Sequence, residues 1–188
     1  PEPVVGWSTL HHETLCQTPH LRVFKEKVAT PARPDGVDWY VVRRPAATVV
    51  APRTREGNYV LIRQERPAVR LETWEFPAGQ IDPNGESAQE TALRELAEEA
   101  GLVCSGELVP LGRFFSSVGF TDEVCELFLA TNCEETPHGR CADEHEVISE
   151  FLTVSPARLL EMIADGTVFD ANTLSACARL LALGRFHS

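Results

Sequence analysis

Between Gly79 and Leu102 the chain reads GQIDPNGESAQETALRELAEEAGL, and no other stretch restricts its fold and chemistry so closely. Glu95, Glu98 and Glu99 fall within five residues of a helical segment, with Glu86 and Glu90 just upstream. Residues three and four apart share a helix face, so Glu95 lines up with both Glu98 and Glu99. Each like-charge pair costs roughly 0.2–0.5 kcal/mol, which favours dispersal unless a cation sits there. Oxygen ligands without Cys or His select a hard ion, Mg²⁺, Mn²⁺ or Ca²⁺, over zinc or copper. Mg²⁺ usually completes its shell with water and substrate phosphate, so the patch implies a phosphate-bearing ligand.

Both ends of this helix are marked. Ser87 and Glu90 form a capping-box signature, and Gly101 stands at the C-terminal stop. Ala88, Ala92, Leu93, Leu96 and Ala100 supply an apolar face, leaving the acids on the other. A chain of net charge −11 could show a merely solvated acidic face. However, Gly79, Glu86, Arg94, Glu95, Glu98, Glu99 and Gly101 together have a chance-match probability on the order of 10⁻⁶ at average residue usage.

These residues resemble the Nudix box, Gly-x5-Glu-x7-Arg-Glu-U-x-Glu-Glu-x-Gly-U, where U is bulky and aliphatic. The half from Glu86 to Leu102 fits without a gap, but six residues rather than five separate Gly79 from Glu86. The extra residue falls in the turn-rich Asp82-Pro83-Asn84-Gly85, where an insertion lengthens a loop and leaves the helix register alone. Gln64-Glu65-Arg66-Pro67 and Trp74-Glu75-Phe76-Pro77-Ala78-Gly79 are similar to the RQYRP and ELPAG elements of the ADP-ribose pyrophosphatase branch. The likeness runs from about Trp39 to the C-terminus and is weak over the first thirty-odd residues.

The resemblance implies a Nudix fold, a three-layer α/β/α sandwich on a mixed sheet, with a small N-terminal antiparallel β region. Residues 1–44 are expected to serve dimerisation and substrate stacking, and 45–188 to form the hydrolase domain. It implies Mg²⁺-dependent hydrolysis of ADP-ribose to AMP and ribose 5-phosphate, with Mn²⁺ an alternative ion. Glu95 and Glu99 are the implied direct ligands, joined by Glu98 and the Ala78 carbonyl. Glu86 and Arg94 form an orienting ion pair. The general base is Glu146, with Glu144 as fallback. Arg44 and Arg66 grip the diphosphate, Trp39 stacks on adenine, and Glu123 reaches the substrate of a partner subunit in a homodimer.

Val118-Gly119 stands where the ADP-ribose branch usually has Pro-Gly, which bears on substrate more than on reaction type. Two alternatives follow: hydrolysis of another nucleoside diphosphate sugar, such as ADP-glucose or GDP-mannose, or a sensor that binds a nucleotide sugar without turnover. Sensors typically lose acids from the box, and here Glu86, Arg94, Glu95, Glu98 and Glu99 are all present.

Net charge −11 and a pI near 5.0 argue against nucleic acid or an anionic membrane as partner. No apolar run nears the roughly 18 residues of a membrane span and the start carries no signal-peptide pattern, so the chain reads as cytoplasmic. Six cysteines occur without a CxxC pair and read mainly as small buried hydrophobes. Cys133, His138, Cys141 and His145 match no zinc-finger spacing and are read as coincidence.

Along the chain, residues 1–19 show no period. Leu21 to Val28 and Val37 to Val42 alternate and form a hairpin about the turn Pro31 to Gly36. Ala46 to Ala51 and Tyr59 to Gln64 are core strands. Short strands follow at Trp74–Phe76 and Gln80–Ile81, then a strand pair at Glu107–Phe115 and Glu123–Thr131, and a strand over 147–153. Ser155-Pro156 opens a helix ending by Gly166, and the last helix runs from Asp170 to Leu183.

Overall fold

The computed structural model describes residues 5–82, 84–136 and 147–187. It divides into two compact units, one of residues 1–45 and 115–124 and the other of 46–114 and 125–188.

In the first unit, β1 (Ser8–Gln17), β2 (Arg22–Thr30) and β3 (Arg33–Arg43) make an antiparallel sheet in the order β1-β2-β3. The expected hairpin forms with a tighter turn. Thr30 pairs directly with Arg33, so Pro31 and Ala32 make the bend and Gly36 lies inside β3 at φ +79°. β1 occupies a stretch without a sequence period. Every one of its residues is exposed, and two register shifts break its alternation.

The second unit is built on an eight-stranded mixed sheet. Its strands are β4 (Ala47–Thr54), β5 (Tyr59–Arg66), β6 (Leu71–Glu75), β7 (Ala78–Gln80), β8 (Leu102–Cys104), β9 (Leu108–Phe115), β10 (Val124–Glu135) and β11 (Ile148–Val154). The main order is β11-β5-β4-β10-β8, with β6 paired to β5, β7 to β4 and β9 to β10. β10 runs parallel to β4, while β5 and β7 run antiparallel to it. The helices are α1 (Ala88–Ala100), α2 (Pro156–Ala164) and α3 (Ala171–Ala182).

The central strands are apolar on both sides, as a covered sheet requires. Val49, Ala51, Tyr59, Leu61, Leu127 and Leu129 join a core with Leu159 and Met162 of α2 and Ala176, Cys177 and Leu180 of α3. Their neighbours Val50, Val60, Ile62, Phe128 and Ala130 face Ala92, Leu96 and Ala100 of α1. One strand period thus supplies two cores, and the result is the three-layer α/β/α arrangement. Among the described residues no helix is long and apolar enough to cross a membrane.

Candidate active site

α1 is fixed at both ends by its own sequence. The Ser87 amide donates to Glu90 Oε2 at 2.8 Å, the Glu90 amide donates to Ser87 Oγ at 3.2 Å, and Gly101 closes the helix at φ +66°. Asp82 closes the loop before it, its Oδ1 accepting the Asn84 amide at 2.9 Å. The stretch between Gly79 and Glu86 is one residue longer than in the box, and Ser87 still caps the helix, which begins at Ala88.

The apolar-face expectation needs one correction. Leu93 is 43% exposed, whereas Glu95 and Glu99 are 6% and 0% exposed and lie on the sheet side with Ala92 and Leu96. At 3.6 residues per turn, 92, 95, 96 and 99 share one stripe, and Leu93 falls beyond its edge. Two carboxylates thus occupy the buried face.

The strand opposite makes room for them. A Cβ on Gly79 would stand 1.7 Å from Glu95 Oε1 and 2.1 Å from its carboxyl carbon, so only glycine leaves this space open. The Ala78 amide donates to Glu99 Oε2 at 2.8 Å, tying β7 to the helix. In register with Gly79 and on the α1 side of β4, Thr48 keeps a buried hydroxyl that has no hydrogen-bond partner among the described residues.

Arg94 is the hub of the acids. Its Nε and Nη2 donate to Glu86 at 2.9 and 3.1 Å, and its Nη1 donates to both Glu95 Oε1 and Glu98 Oε2 at 2.8 Å. Nη2 also reaches the Gln80 carbonyl at 3.4 Å. The Glu86 hydrogen bonds hold the guanidinium well above its ordinary pKa, and the same bonds lower the Glu86 carboxyl to about 2. A depressed carboxylate contributes stability that is present above its unfolded value of 4.5 and is lost as pH falls toward 2. Over that window, denaturant unfolding of the wild type is expected to lose more stability than Glu86→Gln. Parallel pH profiles would contradict the pairing.

Among the described residues no three His, Cys, Asp or Glu side chains converge as a finished cation cage. In donor chemistry, however, this region suits a hard divalent ion: buried carboxylates of Glu95 and Glu99, Glu98 beside them, and the backbone of Ala78, all oxygen. The Gly79 cradle and the buried Thr48 hydroxyl add space and polarity at the same place.

The remaining expected residues are engaged as follows. Arg66 directs Nε and Nη2 at Glu75, the Nε to Oε1 distance being 2.9 Å, and the Thr73 hydroxyl also meets that carboxylate. In the first unit, Arg44 Nη1 lies 3.0 Å from Glu123 Oε1. Within one chain Glu123 therefore faces an arginine. The Trp39 indole donates to the Gly119 carbonyl at 3.0 Å and its ring is half exposed. With Trp7, Val28, Val37 and Val118 it lines a cavity of about 520 Å³ in that unit. Glu144 and Glu146, the expected bases, lie outside the described residues, as do His138, Cys141 and His145.

Sequence reasoning passed over two acids. Glu75 is 1% exposed against Arg66, and Glu26 is 6% exposed and accepts from Arg43 at 2.7 Å. Each is an acid at an inward position of a strand, a signal available from alternation alone.

A family model described as NUDIX domain matches residues 42–177. The chain is 34% identical over 136 residues to the ADP-ribose pyrophosphatase of Bacillus subtilis (strain 168), covering 72% of each chain. It is 37% identical over 140 residues to the ADP-ribose pyrophosphatase of Mycobacterium tuberculosis (strain ATCC 25618 / H37Rv), covering 74% of this chain and 66% of that one. A crystal structure of an ADP compounds hydrolase shares the fold at a TM-score of 0.77 and 22% identity, covering 98% of this chain and all of that one. With its box on a capped helix against a mixed sheet, the chain belongs to the Nudix family.

Proposed function

We propose that this Nudix pyrophosphatase cleaves ADP-ribose to AMP and ribose 5-phosphate with Mg²⁺, or Mn²⁺ in its place. The observation that carries the reading is the buried Glu95 and Glu99 pair on a helix fixed at both ends. Relatives about one third identical, named for that substrate, support it.

A diphosphate resists water because its anionic oxygens repel a nucleophile. A divalent cation, when bound, supplies Lewis acidity and neutralises that charge. Glu95 and Glu99, with Glu98 and the Ala78 carbonyl, would hold it. Arg94 keeps Glu95 and Glu98 in place by its shared Nη1. Arg44 and Arg66 bring planar forks suited to phosphate, and Glu123 and Glu75 orient them. Trp39 offers an exposed ring face for the adenine. Glu146, with Glu144 as the alternative, takes the proton of the attacking water. The same family resemblance suggests a cytoplasmic homodimer, for which sedimentation should give twice 20.8 kDa.

Incubation with Mg²⁺ and a panel of nucleoside diphosphate sugars, followed by chromatography, tests the reading. AMP and ribose 5-phosphate from ADP-ribose are expected. Faster turnover of another sugar would reassign the substrate, and binding without turnover would mark a sensor. Gly79→Ala is expected to lower turnover roughly 10–100-fold, as loss of support around a metal ligand does, with the circular dichroism spectrum unchanged. Wild-type turnover would contradict the cradle.

A further inference from the structure

We propose that Cys104 and Cys133 are a redox modification site, in which peroxide closes an intrachain disulfide between β8 and β10. The proposal is independent of the hydrolase reading. Both thiols are free in the structure, and they stand directly opposite each other in the antiparallel β8–β10 ladder. The Ser105 amide donates to the Asn132 carbonyl, which places the cysteines at a non-hydrogen-bonded position of that ladder. Opposed Cα atoms there are about 4.5 Å apart, inside the range of about 4.4–6.8 Å that a disulfide spans.

The side chains also share a face. Cys133 belongs to the core under α1, and Cys104 packs against the same core. Strict alternation after Phe128 and Ala130 would have sent Asn132 inward. A bulge prevents this: the β4–β10 register slips between Ala130 and Cys133, and Asn132 takes φ +51°. The extra residue re-aims Cys133 toward Cys104. Their sulfurs donate to successive carbonyls of that bulge, Cys104 to Thr131 at 3.5 Å and Cys133 to Ala130 at 3.4 Å.

The two thiols differ in role. Burial pushes Cys133 up to about 12, with the Cys104 sulfur beside it acting in the same direction. Cys104 is half-buried and is the one that meets the oxidant. Its thiolate attacks a peroxide oxygen, the O–O bond breaks, hydroxide leaves and a sulfenic acid forms. The Cys133 sulfur displaces the hydroxyl, which departs as water with the thiol proton. Two thiols lose two electrons and one hydrogen peroxide becomes two waters. Because β8 follows Gly101 directly, the bond would staple the end of the helix that carries Glu95 and Glu99 to a central strand.

The test is to expose the full chain to hydrogen peroxide, quench, denature, alkylate the remaining thiols, and map peptides by mass spectrometry. The expected product joins the Cys104 and Cys133 peptides, two hydrogens below their sum, and dithiothreitol separates it. In Cys104→Ser, Cys133 is expected to remain alkylatable after the same exposure. In Cys133→Ala, dimedone should trap a sulfenic acid at Cys104. Recovery of both wild-type thiols as alkylated, of Cys104 as sulfinic acid without the cross-link, or of either joined to exposed Cys16 would overturn the proposal.

Discussion

Replacing Glu99 by Gln is expected to reduce turnover of ADP-ribose by roughly 10²–10³-fold while leaving the fold intact. Glu99 is fully buried, and one of its oxygens accepts the Ala78 amide at 2.8 Å. Glutamine keeps an acceptor for that amide and nearly the same volume, so packing under α1 is preserved. It removes the negative charge. Losing one anionic ligand forfeits part of the several kcal/mol that a bound cation contributes to the transition state, and about 1.4 kcal/mol is tenfold in rate. Steady-state kinetics with a denaturant melt on the same preparation checks both halves. Unchanged turnover would remove Glu99 from the ligand set. A collapsed melt would make its role structural.

Arg94→Ala has a different signature, because one side chain ties three acids. Its removal leaves Glu86, Glu95 and Glu98 without the shared donor and unscreened from one another. Breaking a buried pair costs about 3–5 kcal/mol. Arg94 is a third exposed, so solvent screening reduces the expected loss to about 2–3 kcal/mol. Arg94→Lys should recover only part, since an ammonium cannot fork to Glu86 and bridge Glu95 and Glu98 together. Turnover is expected to fall with stability in both variants. A melt unchanged in Arg94→Ala would show that the hub contributes nothing in solution.

Much of this arrangement was legible before any coordinates. The capping box at Ser87, the stop at Gly101 and the turn at Asp82 are local chemistry, and each appears where the sequence placed it. The β-branched runs of β4 and β5 carried the central strands. What failed did so for identifiable reasons. An amphipathic count places charge outward, yet Glu95 and Glu99 face the sheet, Glu95 over the space that Gly79 leaves and Glu99 against the Ala78 amide, while Leu93 misses the stripe. β1 buries nothing, and its two register shifts erase the period that would have announced it. β10 was expected to stop at Thr131 but runs to Glu135 through the Asn132 bulge. The partners of Arg66 and Arg44, Glu75 and Glu123, come from tertiary packing that spacing does not encode.

Titration of wild-type protein and of Glu95→Gln/Glu99→Gln with Mn²⁺, following the free ion by electron paramagnetic resonance, probes the carboxylate stripe without turnover. Wild-type protein should deplete the free signal, and the double variant should bind at least roughly tenfold more weakly, as expected when charged ligands are removed. Equal affinity in the two proteins would place the cation elsewhere and contradict the role given to this helix.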